Sequence, residues 1–79
     1  MKVIKMNQKV KSLGMPRRTK YNNFVFTVFL ENGDIAVMFN ENYYPPFREG
    51  DTITYRLTES KKYFEPKLEL INPKQTLNK

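Results

Sequence analysis

The sequence predicts an all-β fold, a small closed or partly closed barrel of five strands with little or no helix. Three observations support this. Apolar and polar residues alternate with a period of two, turn residues separate the apolar runs, and no stretch keeps the spacing of an amphipathic helix. A chain of 79 residues has room for one such domain. The domain is assigned to residues 1–73, and residues 74–79 are expected to be a short flexible tail.

The first two strands differ in pattern. Residues 3–11 predict a strand with an apolar inner face (Ile4, Met6 and Val10) and a basic outer face (Lys5, Lys9 and Lys11). Residues 24–30 are apolar on both faces, which is typical of a central strand. Their inward set is Phe24, Phe26, Val28 and Leu30, while Val25 and Phe29 are expected to face a groove or a subunit interface.

Turn signals define the remaining strands. Asn32-Gly33 predicts a hairpin into a third strand at residues 35–39. Pro45-Pro46 excludes a helix from residues 40–47. A fourth strand at residues 52–57 turns Ile53, Tyr55 and Leu57 inward. A fifth, at about residues 63–71, turns Phe64, Leu68 and Leu70 inward, with Pro66 marking an edge or a bulge.

Two barrel types have this number of strands. An oligonucleotide/oligosaccharide-binding (OB) barrel and an SH3-like barrel both fit. The long first strand and the long first connection favour the OB type. The helix usual between the third and fourth OB strands is replaced here by residues 40–47.

Catalysis is not expected. The chain has no His and no Cys, so the commonest general base, the commonest thiolate nucleophile and the usual zinc ligands are all missing. The carboxylates are scattered, mostly beside turns, and are interpreted as solvated. The sequence therefore predicts a non-enzyme with no metal and no cofactor.

Positive charge is concentrated at one end of the sequence. The first thirty residues carry seven basic residues and no acidic one, whereas the remaining forty-nine carry seven basic and eight acidic residues. The connection KVKSLGMPRRTKYNNF (Lys9–Phe24) alone holds five of the basic residues. Charge confined in this way indicates a surface that binds a polyanion.

Aromatic residues supply the second requirement for binding single strands. Eleven are present, more than so small a core can hide, and exposed rings can stack on bases. Phe39 and Phe64 are assigned to the core, and the connection residues Tyr21, Tyr43, Tyr44 and Phe47 are candidates for stacking. The predicted nucleic-acid-binding set is Lys5, Lys9, Lys11, Arg17, Arg18, Lys20, Tyr21, Tyr43, Tyr44 and Arg56. The expected ligand is single-stranded DNA, bound with little sequence preference.

In architecture the chain resembles the small single-stranded DNA-binding proteins of phages, and most nearly the helix-poor OB barrel of the filamentous-phage proteins. The basic first connection carries an aromatic residue, and no helix precedes GDTITYRL. The resemblance implies a projecting hairpin wing that contacts DNA, formed here by KVKSLGMPRRTKY, together with a two-fold homodimer, cooperative coating and a role in phage DNA replication. The Lys-Gly-Phe-Gly-Phe signature of cold-shock domains is missing.

Two alternatives stay open. An SH3-like protein-interaction module would use residues 43–47 as an apolar contact, and an RNA-binding accessory factor would use the same basic residues on folded RNA. No apolar run approaches the roughly 20 residues of a membrane span, and no signal-peptide pattern is present. A cytoplasmic protein without a membrane partner is expected, in the host cytoplasm if it is encoded by a phage.

Overall fold

A computed structural model describes residues 2–61 and 63–71 of the chain. These residues form six strands and no helix: β1 (Lys2–Leu13), β2 (Arg17–Arg18), β3 (Phe24–Leu30), β4 (Ile35–Asn40), β5 (Thr52–Thr58) and β6 (Lys67–Ile71). Among them, therefore, no helix is long and apolar enough to cross a bilayer. The predicted tail, residues 74–79, lies outside the described residues.

Five of the strands close into a ring. The pairing runs β1–β5–β6–β4–β3 and back to β1, and β2 extends the sheet along the far end of β3. The β4–β6 pair is parallel and the other pairs are antiparallel. The strand β5 returns through a long connection to lie beside β1, which is the Greek-key order of an OB barrel. Over the described residues, the prediction of an all-β, OB-like ring of five strands with little or no helix is confirmed, and β2 is a sixth strand that was not predicted.

A bulge in β1 reverses its faces. The pairing of β1 with β5 slips by one residue between Lys5 and Gln8, where Asn7 has a φ of 55° and its N–H donates to Thr54 Oγ1 at 3.1 Å. One extra residue turns every side chain before it to the opposite face. Met6 is therefore 63% exposed and Ile4 59%, and the prediction that they face inward is wrong. Beyond the bulge, Val10 is buried as predicted.

The core lies inside the ring, and most of it was predicted. Its buried residues are Val10, Phe26, Val28, Leu30, Ala36, Met38, Phe47, Ile53, Tyr55 and Leu68, with Leu13, Leu57 and Leu70 packed against them. The inward faces of β3, β5 and β6 are therefore confirmed at the centre of each strand. At the end of β3, Phe24 is half-buried.

The connection at residues 41–51 supplies an aromatic plug to the core. Phe47 is buried, and its ring meets that of Phe26 at a centroid distance of 6.3 Å and an interplanar angle of 62°. This contact lies in the connection that carries the helix in other OB barrels. The stacking role considered for Phe47 is wrong, because its buried ring has no face left for a ligand.

The last strand begins later than predicted. Pro66 has no N–H to donate, and its carbonyl accepts from the N–H of Val37 at 2.9 Å, so the β6 ladder starts only at Lys67. The described residues 59–61 and 63–66, called the 59–66 connection below, lie outside the strands, and Phe64 among them is fully exposed. Its predicted inward position is wrong, because the residue precedes the strand whose alternation would have turned it inward.

A polar cluster fastens the β3–β4 turn to two other strands. The Tyr55 hydroxyl donates to Asp34 Oδ2 at 2.8 Å, and the Asn32 amide donates to the Tyr55 oxygen at 3.2 Å and to Gln8 Oε1 at 3.1 Å. Lys5 Nζ lies 3.5 Å from Asp34 Oδ2. The cluster therefore ties β1 and β5 to the turn at one end of the ring.

Candidate nucleic-acid interface

The basic connection between β1 and β3 is an ordered hairpin. The N–H of Gly14 donates to the Thr27 carbonyl at 2.8 Å, and Arg17 and Arg18 then pair with Val25 and Phe24. A Cβ at Gly14 would lie 3.4 Å from Thr27 Cβ, an ordinary contact distance, so this end of the hairpin lies directly against β3. This hairpin, residues 14–24, is called the wing below.

A tight turn forms the tip of the wing. The N–H of Thr19 donates to the Asn23 carbonyl at 2.8 Å, and the two side chains are hydrogen-bonded to each other. Asn22 has a φ of 67°, a conformation that Asn tolerates better than most residues. The turn therefore holds Lys20 and Tyr21 at the end of an ordered hairpin.

A groove runs over the outer face of β3 and β4. Val25 pairs with Phe39, and Thr27 with Val37, on the side of the sheet away from the core. Val25 and Val37 are nevertheless only 4% exposed, because neighbouring segments cover this face. The groove is lined by Arg17, Arg18, Thr19, Lys20, Tyr21, Val25, Phe39 and Tyr63. Its two walls are the wing and the 59–66 connection.

Aromatic rings and cations lie close together in this groove and at its border. Phe39 and Tyr63 meet at a centroid distance of 5.6 Å and an interplanar angle of 64°, and Lys67 Nζ lies 5.7 Å from the Phe39 centroid. On the wing, Tyr21 is 66% exposed, with Lys20 Nζ 5.4 Å from its ring centroid. The groove and its border therefore expose aromatic rings and ammonium groups next to each other.

The wing's cations are not neutralised within the part of the chain that the structure describes. There, no carboxylate forms an ion pair with Arg17, Arg18 or Lys20, and all three are exposed. Arg17 lies opposite Val25 and so shares the face of the groove. Arg18 lies opposite Phe24, on the wing's other face at the groove's edge, and its guanidinium donates to Asn22 Oδ1.

The other predicted basic residues lie elsewhere. Lys5 is held by Asp34, and Arg56 forms an ion pair with Glu69 on the neighbouring strand. Lys9 and Lys11 are exposed on β1 near Leu30, about 17 Å along β3 from the Arg17 pair at ~3.4 Å per residue. The structure therefore brings together only the wing members of the predicted basic set.

The two tyrosines of the 41–51 connection form a second aromatic row. The rings of Phe24 and Tyr43 meet edge to face at 5.7 Å, and those of Tyr43 and Tyr44 at 5.1 Å. Tyr44 is 78% exposed. Because Phe24 is opposite Arg18, this row lies toward the wing's other face, around a corner from the groove.

Two aromatic residues of the groove, Phe39 and Tyr63, were not in the predicted set, and neither was Lys67, which lies beside Phe39. Phe39 was assigned to the core, but it is half-buried on the outer face. The sequence did contain a signal for the outward position of Phe39. The Asn32-Gly33 turn sets the hairpin register, and this register pairs Phe39 with Val25, which faces outward. Tyr63 had no comparable signal, because its position depends on the path of the 59–66 connection.

Comparison of the chain with protein-family models, with curated proteins and with solved structures finds no match. What the molecule can bind is therefore inferred from the chemistry of the groove.

Proposed function

We propose that this protein binds single-stranded DNA without catalysis and with little sequence preference. The observation that supports this best is the groove between the wing and the 59–66 connection. There, Arg17 and Lys20, which form no ion pair with any residue that the structure describes, lie beside the rings of Tyr21, Phe39 and Tyr63. Such a surface matches a strand that carries phosphates along its backbone and bases with free faces.

The exposed aromatic rings favour a single-stranded ligand over a duplex. In a duplex each base face is covered by the next base pair, whereas an unpaired strand can place its bases on aromatic side chains, each worth roughly 1–3 kcal/mol. Every base has such a face, so little sequence preference is expected. The OB barrel commonly uses its second and third strands and the loops after strands one and four in this way. Here those elements are β3, β4, the wing and residues 59–66.

The residues of the predicted set contribute unequally to this proposal. The wing cations hold phosphates, and the row at Tyr43 and Tyr44 extends the path around the wing by way of Arg18. Lys9 and Lys11 offer further phosphate contacts along β1. Lys5 and Arg56 would have to leave their carboxylates, so we expect them to contribute least.

The salt dependence of binding tests the phosphate contacts. A labelled single-stranded oligonucleotide is titrated at several salt concentrations, with a duplex of the same sequence alongside. Contacts to about three to six phosphates predict a log–log slope of roughly −2 to −4. Arg17→Ala removes one contact and should make the slope about 0.7 less steep. The matched control is Arg48→Ala, because Arg48 is exposed but does not line the groove.

Three results would count against the proposal. If the protein does not bind single strands at low salt, the whole proposal is wrong. If it binds without salt dependence, the proposed phosphate contacts are wrong. Equal effects of the Arg17 and Arg48 substitutions would move the site away from the wing. Competition with RNA of the same sequence separates DNA binding from the alternative of an RNA-binding accessory factor.

The exposure of Tyr44 favours a second candidate, a protein-docking role. Tyr44 borders a recess that it lines together with Pro45 and the exposed Arg48 and Glu49. A docking role predicts that Tyr44→Ala abolishes capture of a protein partner while Arg17→Ala leaves it unchanged. Single-strand binding that depends on Arg17 would decide for the first proposal.

The phage resemblance adds two expectations to the proposal. One is a homodimer, and the other is a role in DNA replication in the host cytoplasm. Sedimentation of the purified protein across a range of concentrations tests the first, since a protomer that stays monomeric throughout contradicts it.

A further inference from the structure

The 59–66 connection presents a phenylalanine to solvent. Phe64 is fully exposed, while the preceding Tyr63 packs on Phe39 in the groove. Because its ring is entirely in water, Phe64 contributes nothing to the core. It belongs to the connection that forms one wall of the groove. Single exposed apolar residues are common, so exposure alone does not indicate a function for Phe64, and its position beside the groove has to be considered.

Phe64 is presented by an anchored segment. On one side the N–H of Tyr63 donates to Ser60 Oγ at 3.2 Å. On the other side the Pro66 carbonyl accepts from Val37 at 2.9 Å. Phe64 therefore lies between two hydrogen-bonded points, one of which joins the chain to the edge of β4. An exposed ring held in this way pays little further ordering cost when a ligand covers it.

We infer that Phe64 is a stacking residue, which receives a nucleotide base at the edge of the groove and extends its aromatic row beyond Tyr63. This rests on the proposed binding of single strands. A base suits the position better than a purely apolar partner does, because the surroundings are mixed. Lys61 is exposed in the same connection and Lys67 follows it at the start of β6. A nucleotide offers a flat face to the ring and a phosphate to such cations.

A single tryptophan can report this contact directly. The chain contains no Trp, so Phe64→Trp introduces the only indole. Addition of an unlabelled single-stranded oligonucleotide should quench its fluorescence, with the same midpoint that a labelled oligonucleotide gives in anisotropy. The matched control is Ile4→Trp, since Ile4 is also an exposed apolar residue but lies on the outer face of β1, opposite Arg56. Its fluorescence should change little.

The affinities of three Phe64 variants for a single strand distinguish base stacking from apolar contact in general. Phe64→Ala should weaken single-strand binding by roughly 5- to 150-fold, the value of one stacked base. Phe64→Leu keeps apolar area without a flat ring and should stay weak, while Phe64→Trp should retain the affinity. Because Phe64 is fully exposed, all three variants should fold as the parent does, which circular dichroism checks.

The outcomes distinguish this inference from the function on which it depends. If the unaltered protein binds single strands while Phe64→Trp is not quenched and Phe64→Ala binds equally well, the inference is overturned and the proposed function stands. If the unaltered protein does not bind, both are overturned. If Phe64→Ala changes only the sedimentation of the free protein, Phe64 is a contact between copies of the chain and the inference is overturned.

Discussion

The hydroxyl of Tyr55 lies in a polar cluster at the end of the core. It donates to Asp34 and accepts from Asn32, while the rest of its ring is buried. Burial, helped by the charge of Asp34, raises the pKa of Tyr55 to about 12 from an ordinary value of 10.0. Because the pKa of Tyr55 is higher in the folded state than in the unfolded chain, the fold is more stable with this hydroxyl neutral than with it ionised.

That shift predicts a specific pH dependence. Below pH 10 Tyr55 is neutral in both states and its contribution to stability is complete. Between about pH 10 and 12 the unfolded chain ionises first, so the free energy of unfolding falls as the pH rises. Denaturant unfolding of the parent and of Tyr55→Phe should therefore converge over this range. Tyr55→Phe should be about 1 kcal/mol less stable at neutral pH, from the lost hydrogen bonds. A constant difference from pH 8 to 12 would contradict this role.

Two phenylalanines show what the sequence could not reveal at this scale. Phe47, beside two prolines, is buried in the core, and Phe64, in an apparent strand pattern, is fully exposed. Local alternation predicts burial only inside a strand, and Phe64 precedes the strand. Phe47 lies in a connection, where side chains follow no regular alternation, and it is buried because the connection places its ring against Phe26.

Among the elements, the register of β3 with β4 was predictable, whereas for β1 the strand was predictable and the faces of its first half were not. The Asn32-Gly33 turn and an apolar run on each side of it define one hairpin register, and the structure has it. The first strand has a regular alternation that the bulge at Asn7 interrupts. Nothing in a single sequence distinguishes an Asn in an unbroken strand from one in a bulge, although Asn is among the few residues that tolerate a positive φ.

The backbone of Asn7 gives a prediction for β1. With a φ of 55°, Asn7→Val would place a β-branched residue in the left-handed region, at a cost of about 1–2 kcal/mol in stability. Asn7→Gly has no such strain and should stay within about 0.5 kcal/mol of the parent. Urea unfolding of the two variants measures the difference. Equal stability of the Val and Gly variants would show that β1 pairs with β5 without this bulge.

The candidate site was predictable in composition but not in shape. Charge and aromatic content pointed to the wing, where Arg17, Lys20 and Tyr21 do lie together. The sequence could not show that Lys5 and Arg56 would be held by carboxylates, because Asp34 and Glu69 are distant in the chain and become neighbours only through strand pairing. Long-range pairing decides which charges remain available.

At the scale of the whole molecule, size links stability to binding. A domain of fewer than 80 residues buries a smaller fraction of its surface on folding than larger proteins do, so its stability margin is narrow. Part of its apolar side-chain surface is not buried at all, with Tyr21, Tyr44 and Phe64 exposed. A ligand that binds only the folded ring therefore changes the folding equilibrium noticeably.

Thermal unfolding should reveal this link. A single-stranded oligonucleotide present at about a hundred times its Kd stabilises the folded state by about 2.7 kcal/mol. For a domain of this size, that raises Tm by roughly 10–20 °C. Circular dichroism at low salt measures the shift, and the equivalent duplex should produce a much smaller one. Arg17→Ala should lose part of the shift at the same oligonucleotide concentration, because its Kd is higher, while its Tm without ligand stays near that of the parent. A ligand shift that is equal for single strand and duplex would mean that charge alone, without stacking in the groove, accounts for binding.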